Sequence, residues 1–500
     1  MTHQVDPDFL ALPLQAVSDA AIQSGLSLGA SHVDVRIERV RTGVLQLRDT
    51  NPETQTDESV TGVGVRVIVN GAWGFASSPE ISATKAAELA KVAVAMAITS
   101  GPLSTEKIAL APEPIYAAKT WVSDYEIDPF NVSGEEKIAR LAELNAALIK
   151  SDAVSNATAF SMFVKEQKHY ADSYGTTTTQ QRVRMQTAIE AFHVSDKGFE
   201  SMRTLAQPAG YGWEWMGNSI WNWDEEIAEL PTLLAEKVAA PSVEAGRYDL
   251  LIHPSNLWLT IHESIGHATE LDRALGYEAN YAGTSFATVD NLGKLQYGSA
   301  LMNVTGDRLT PHGLSTIGYD DEGVEAQRWD IIKDGVLVGY QLDRRIAARV
   351  GQERSNGCAF ADSPSHVPIQ RMPNVSLQPN PQGPDLDGLI ASVEDGIYIK
   401  GDNSWSIDMQ RYNFQFTGQQ FHRIKNGKLV GQVKDVAYQA TTTDFWRSMK
   451  AVGGPSTYVL GGAFNCGKAQ PGQIAAVSHG CPAAVFDKVN VLNTVAEAGK

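Results

Sequence analysis

The stretch VGVRVIVNGAWGF (residues 63–75) decides the fold class. Val63, Val65, Val67 and Val69 recur at every second position, the period of a strand that buries one face. They run into Asn70-Gly71, and a two-residue hairpin turn wants φ > 0 at both of its central positions. Trp73 and Phe75 resume the alternation beyond the turn. Upstream, Val33, Val35 and Ile37 alternate with Asp34, Arg36 and Glu38. Downstream, Leu89, Val92, Ala93 and Met96 follow helical spacing. A strand pair followed by a helix predicts a small α/β sandwich at the N-terminus.

Two further hairpin turns follow the same logic: Asp334-Gly335 between Ile331-Ile332 and Val336-Leu337-Val338, and Asn426-Gly427 before Lys428-Leu429-Val430. Hairpins outnumber strand–helix–strand units here, so an α+β fold is expected rather than a doubly wound sheet. Residues 101–122, with Pro102, Pro112 and Pro114, read as a connecting segment. Ser133 and Glu136 form a capping-box pattern ahead of Ile138, Leu141, Leu144 and Leu148. Residues 157–195 read as β-rich. Pro241-Ser242 and Gly246 put a boundary near residue 240, between an α/β domain at 1–240 and a strand-rich domain at 241–500. Trp213, Trp215, Trp221 and Trp223 either wall a ligand groove or pack a core.

The 500 residues carry a net charge of −17, which opposes non-specific nucleic-acid binding, a property of clustered Lys and Arg. Hydrophobic residues at 43% and charged residues at 20% describe a folded chain. Three cysteines cannot form a disulfide framework, which favours a reducing compartment. The N-terminus lacks a basic region ahead of an apolar stretch, so it is a poor secretory signal. No apolar run approaches the ~18–20 residues of a membrane span, residues 90–98 being the longest candidate. A soluble cytoplasmic protein is expected.

The chemistry concentrates in residues 257–270. Leu257, Ile261 and Ile265 recur at helical spacing, which puts His262 and His267 on one buried helix that also carries Glu263. In the common zinc-protease pattern the histidines stand at i and i+4, about 40° apart around the helix. At i and i+5 they stand about 140° apart on a regular α-helix. Both reach one metal only if the helix contains a π-bulge or loosens at its end, and Gly266 is the residue type that permits such a distortion. Neutral imidazoles suit Zn²⁺, which in catalytic sites takes three protein ligands and keeps a position for water. That water's pKa falls to about 7, and Glu263 stands next to the first ligand, placed to take its proton and pass it to a leaving amine. The third ligand has several candidates: Cys466, the pair His479 and Cys481, and Glu270 or Asp272. The last two are better suited to hydrogen-bonding the histidines. Cys358, by Asn356-Gly357, reads as structural.

Residues 262–267 resemble the H-E-x-x-x-H motif of the TldD/PmbA family of metallopeptidases, also called modulators of DNA gyrase. Residues 64–75, 319–323, 334–340, 396–398 and 465–468 are similar to other signatures of that family, in the same order over most of the chain. TldD-type subunits carry both the histidine motif and a late cysteine, and this chain has both. The resemblance implies one zinc ion per chain held by His262, His267 and Cys466, with Glu263 as general base. It also selects Cys466 over Cys481. The resemblance further implies cleavage of short or unfolded peptides and pairing with a TldE/PmbA-type partner subunit, a homodimer being the other assembly. An edge strand of the C-terminal domain is expected to hold the peptide by its backbone. The alternative is a non-catalytic scaffold or partner subunit of the same fold, which has no reason to keep these four residues together.

Overall fold

Residues 63–75 form the hairpin that their alternation predicts. In the computed structural model, which describes residues 4–196, 198–469 and 471–497, strand Asn51–Val69 pairs antiparallel with Ala72–Ser78. Asn70 and Gly71 adopt φ of 50° and 76°, the left-handed values this turn requires. The hairpin belongs to a sheet larger than a strand pair. Its seven strands run in the order Ala72–Ser78, Asn51–Val69, His32–Arg48, Asn156–Asp172, Thr177–Ser195 and Lys119–Val122, with Gly198–Arg203 alongside Thr177–Ser195. Neighbours are antiparallel except Lys119–Val122, which runs parallel to Thr177–Ser195. The connecting segment 101–122 therefore ends as an edge strand. Midway along it, Ala111 is buried in the C-terminal core and exchanges backbone and side-chain hydrogen bonds with Arg344.

Val33, Val35, Ile37, Leu45 and Leu47 occupy odd positions of strand His32–Arg48 and so share one face of the sheet. Helices Leu14–Ser27 and Ala83–Ser100 cover one end of that face, and Gly134–Leu148 and Trp223–Ala239 cover the other. Helix Ala83–Ser100 lies directly on Gly74, where a Cβ would stand 1.8 Å from the Ala93 carbonyl oxygen. Contrary to the sequence expectation, the stretch Ala83–Leu103 has the length and composition of a membrane span, with a mean hydropathy of 1.2 over an 18-residue window. In the fold, Ala86, Ala90, Ala93 and Ala97 of this helix are buried against the sheet. Trp213, Trp215 and Trp223 are core residues at the other end of the sheet, with Trp221 packed against them, which is the packing reading of that cluster.

Asp34, Arg36 and Glu38 point to the opposite face. Their alternation with valines reads as a half-solvated strand, yet all three are buried. The reason is tertiary: this polar face packs against the C-terminal half. Arg66 pairs with Glu322 at 3.0 Å and Lys168 with Asp321 at 2.9 Å, while Arg36 donates to the Ser363 and His366 carbonyls, both at 2.7 Å.

A second seven-stranded sheet occupies the C-terminal half, in the order Asp395–Ile407, Gly246–Ile252, Ala484–Asn493, Val436–Thr441, Asn413–Lys425 and Lys428–Val433, with Met449–Val452 beside Ala484–Asn493. Asp395–Ile407 also pairs with Asn413–Lys425, so the sheet closes on itself. Asp334-Gly335 and Asn426-Gly427 turn their hairpins with positive φ at all four positions. Strand Gly246–Ile252 leads through His253 into helix Pro254–Ile261. Asn256 of this helix donates to the Gly401 and Thr417 carbonyls at 2.9 and 2.8 Å, fastening the helix to the closed sheet.

Candidate metal centre

Helix Pro254–Ile261 does not continue as an α-helix. His262–Gly266 forms a π-helical turn in which the His267 N–H donates to the His262 carbonyl. This i→i+5 bond joins the two histidines themselves and brings both imidazoles to one side, their ring centroids 4.7 Å apart. A π turn disturbs the regular i→i+4 ladder, and buried carbonyls need partners. They find them in side chains. Tyr297 donates to the Ser264 carbonyl, Thr269 Oγ1 to that of Ile265 at 2.8 Å and Gln341 Nε2 to that of Gly266 at 2.6 Å. Gly266 itself has ordinary helical torsions, φ −52° and ψ −62°. Its missing side chain provides room rather than torsional freedom, because a Cβ there would stand 2.6 Å from Met372 Sδ.

The third donor arrives on strand Val459–Lys468, which pairs with Gln473–Cys481. The register shifts between Ala463 and Cys466, an irregularity of the kind that re-aims a side chain. Cys466 Sγ lies 3.6 Å from His267 Nε2. The ligand atoms of His262, His267 and Cys466 all fall within 4.8 Å of one another, and all three residues are buried. Each histidine uses its Nδ1 elsewhere: His262 Nδ1 meets His479 Nε2 at 2.7 Å, and His267 Nδ1 meets Glu270 Oε2 at 2.8 Å. Both Nε2 atoms are thereby left for the centre.

The donor set fits zinc. With Zn–N of about 2.05 Å and Zn–S of about 2.3 Å, two ligands on one tetrahedral ion stand about 3.5 Å apart, close to the 3.6 Å between His267 Nε2 and Cys466 Sγ. The charge state of the thiol points the same way. Burial alone would raise the Cys466 thiol, yet the two facing imidazoles hold it well below the ordinary thiol range. Burial would lower His267, yet the sulfur opposite lifts it to about 9. The other cysteines are of a different kind. Burial pushes Cys358 up to about 12 and raises Cys481 further, and the Cys481 thiol faces the Pro254 carbonyl at 3.8 Å.

Glu263, next to the first histidine, is buried and paired with Arg411 through its Oε2. Burial opposes its ionisation, but His267, His262 and Arg411 together hold its pKa below the usual carboxylate value. Arg411 has no sequence signal. It sits at φ 63° in the turn between Asp395–Ile407 and Asn413–Lys425, where Asp408 accepts from the backbone of Gln410, Tyr412 and Asn413. Of the two acidic residues expected to orient histidines, Glu270 does so and Asp272 does not. Asp272 instead shares Lys468 with Glu270, at 2.8 and 3.1 Å, while Glu278 stands 3.6 Å from the same ammonium. Lys468 thus serves three buried carboxylates. Lys468→Met is expected to destabilise the protein by about 3–5 kcal/mol, the cost of leaving buried charges uncompensated, as read from urea unfolding.

Three family descriptions match the chain in order: PmbA/TldA metallopeptidase domain 1 over residues 33–97, the central domain over 127–241 and the C-terminal domain over 245–493. The chain belongs to the PmbA/TldD metallopeptidase family. As a member it is a metalloprotease, the name its relatives carry. One, from Methanothermobacter thermautotrophicus, is 27% identical over 96% of this chain and 97% of its own length. Another, a zinc metalloprotease TldD homolog from Saccharolobus solfataricus, is 22% identical over 94% of this chain and 98% of its own. The crystal structure of TldE from Thermococcus kodakarensis shares the fold, with a TM-score of 0.71 at 16% identity over 95% of this chain and 99% of that one. The family's C-terminal domain contains the histidine turn and the cysteine hairpin, both described above. A cavity of about 930 Å³ lies beside the centre rather than at it. It runs between the outer face of helix Ala83–Ser100, with Val92 and Met96, and the Asp272–Lys468 pair.

Proposed function

We propose that this metallopeptidase uses one zinc ion held by His262, His267 and Cys466, with Glu263 as general base, and hydrolyses short or unfolded peptides. The observation that carries this reading is the convergence of two imidazoles and one low-pKa thiol beside a buried glutamate. A bound zinc ion supplies Lewis acidity, which makes water a better nucleophile and polarises a carbonyl. Glu263 accepts the proton of the attacking water and delivers it to the leaving amine. Arg411 anchors one carboxylate oxygen of Glu263 and so keeps the base from turning away from the histidines. A non-catalytic scaffold would have no use for this arrangement.

Among the described residues, strand Val459–Lys468, which carries Cys466, pairs with a strand on one side only. An extended peptide adding to its other edge would lie alongside the metal centre, bound by backbone hydrogen bonds that are indifferent to sequence. Such breadth calls for exclusion of folded proteins from a cytoplasmic enzyme. A TldE-type subunit covering the site provides that exclusion, and the shared fold with TldE supports such pairing. The division at residue 240 would then separate an N-terminal wall from the C-terminal catalytic unit. The test is hydrolysis of an unstructured peptide by the zinc-loaded protein. Activity should vanish on chelation and return with added zinc, and full activity in metal-free protein would refute the reading.

A further inference from the structure

His479 is unused by the proposed chemistry, yet it is fully buried against the centre. Its two ring nitrogens are both engaged. Nδ1 lies 2.8 Å from the Val375 carbonyl oxygen, and Nε2 lies 2.7 Å from His262 Nδ1. A carbonyl oxygen only accepts, so His479 carries its proton on Nδ1 and presents a lone pair at Nε2. That lone pair must meet a donor, so His262 carries its proton on Nδ1. The His262 lone pair is thereby left on Nε2, the free nitrogen of a ring that clusters with His267 and Cys466.

We propose that His479 is a positioning residue: through the chain Val375 carbonyl, His479, His262 it sets the tautomer and the ring orientation that His262 needs to ligate zinc. This rests on the metal-centre reading above and adds to it a determinant of metal affinity that touches neither metal nor substrate. The two histidine ligands are then held differently. His267 is oriented by Glu270, an anion secured by Lys468. His262 is oriented by an imidazole, which is clamped in turn by a backbone carbonyl and by Trp258, whose ring is parallel to it within 8°.

Two near-isosteric substitutions separate orientation from packing. In His479→Gln the side-chain oxygen falls near the position of Nε2 and accepts from His262. In His479→Asn the shorter amide still reaches the Val375 carbonyl but not His262. Zinc affinity, measured by competition with a chromophoric chelator, is expected to fall about 10–100-fold in His479→Asn, the usual effect of losing such an outer partner. It should stay within about threefold of wild type in His479→Gln. Metal-free melting temperatures of the two variants should match. Wild-type affinity in His479→Asn, or equal losses in both variants, would overturn the proposal. If His479→Asn does not fold, His479→Leu takes its place under the same criteria. Wild-type protein that binds no zinc would overturn the metal-centre reading itself, and this proposal with it, which distinguishes the two failures.

Discussion

Glu263→Gln is expected to retain its zinc and to lose peptide hydrolysis by about 10²–10⁴-fold in kcat, the usual contribution of a positioned general base. Glutamine preserves the shape of the side chain and its hydrogen bond from Arg411, but its amide cannot take a proton from water. The loss should appear in kcat rather than in KM, because the base acts on the nucleophile and not on the peptide backbone. Arg411 adds a second consequence. Its guanidinium is largely buried against Glu263, so the substitution leaves a buried cation without its counter-charge and should also lower the melting temperature. Elemental analysis, steady-state kinetics and a thermal melt on one preparation check all three outcomes. Undiminished kcat would remove Glu263 from the mechanism.

Cys466→Ala should have the other large effect, loss of the metal itself. The thiol stands opposite His267 and is held ionised by the two imidazoles. Removing it takes away both a ligand and the negative charge that favours a dication, so affinity should fall by more than the 10–100-fold of an outer-partner change. Cys481→Ala and Cys358→Ala are the controls. Burial raises both thiols above the ordinary range, and neither belongs to the donor cluster. Both variants should keep one equivalent of zinc after dialysis. Zinc retained in Cys466→Ala but lost in Cys481→Ala would reverse the ligand assignment.

Much of the scaffold around these residues is legible locally. The turn torsions at Asn70-Gly71, Asp334-Gly335 and Asn426-Gly427 are properties of the dipeptides, and the N-cap at Ser133, whose Oγ accepts from the Glu136 N–H, needs only its own helix. The polar face of strand His32–Arg48 misleads for the opposite reason. Asp34, Arg36 and Glu38 have the pattern of a solvated face, and only the arrival of the C-terminal half, with partners such as Glu322 and Asp321, buries them. Lys468 is readable only in part. It stands two residues after Cys466, but nothing nearby in the chain announces three carboxylates converging on it.

The histidine spacing marks the division most clearly. An i, i+5 pair on a buried helix already demands a local π distortion if both rings are to meet one ion, because 100° per residue leaves them on different sides. The sequence by itself therefore determined the α+β class, the hairpin turns and the need for an irregular turn at residues 262–267. The tertiary structure decided which side chains satisfy that turn, which cysteine faces the rings and which ring nitrogens remain for a metal. Periodicity and turn torsions are set by neighbours along the chain. The convergence of Cys466 on His267 joins residues 199 apart and that of His479 on His262 joins residues 217 apart, and contacts at such separations exist only once the ribbon of Val459–Lys468 and Gln473–Cys481 has packed against helix Pro254–Ile261.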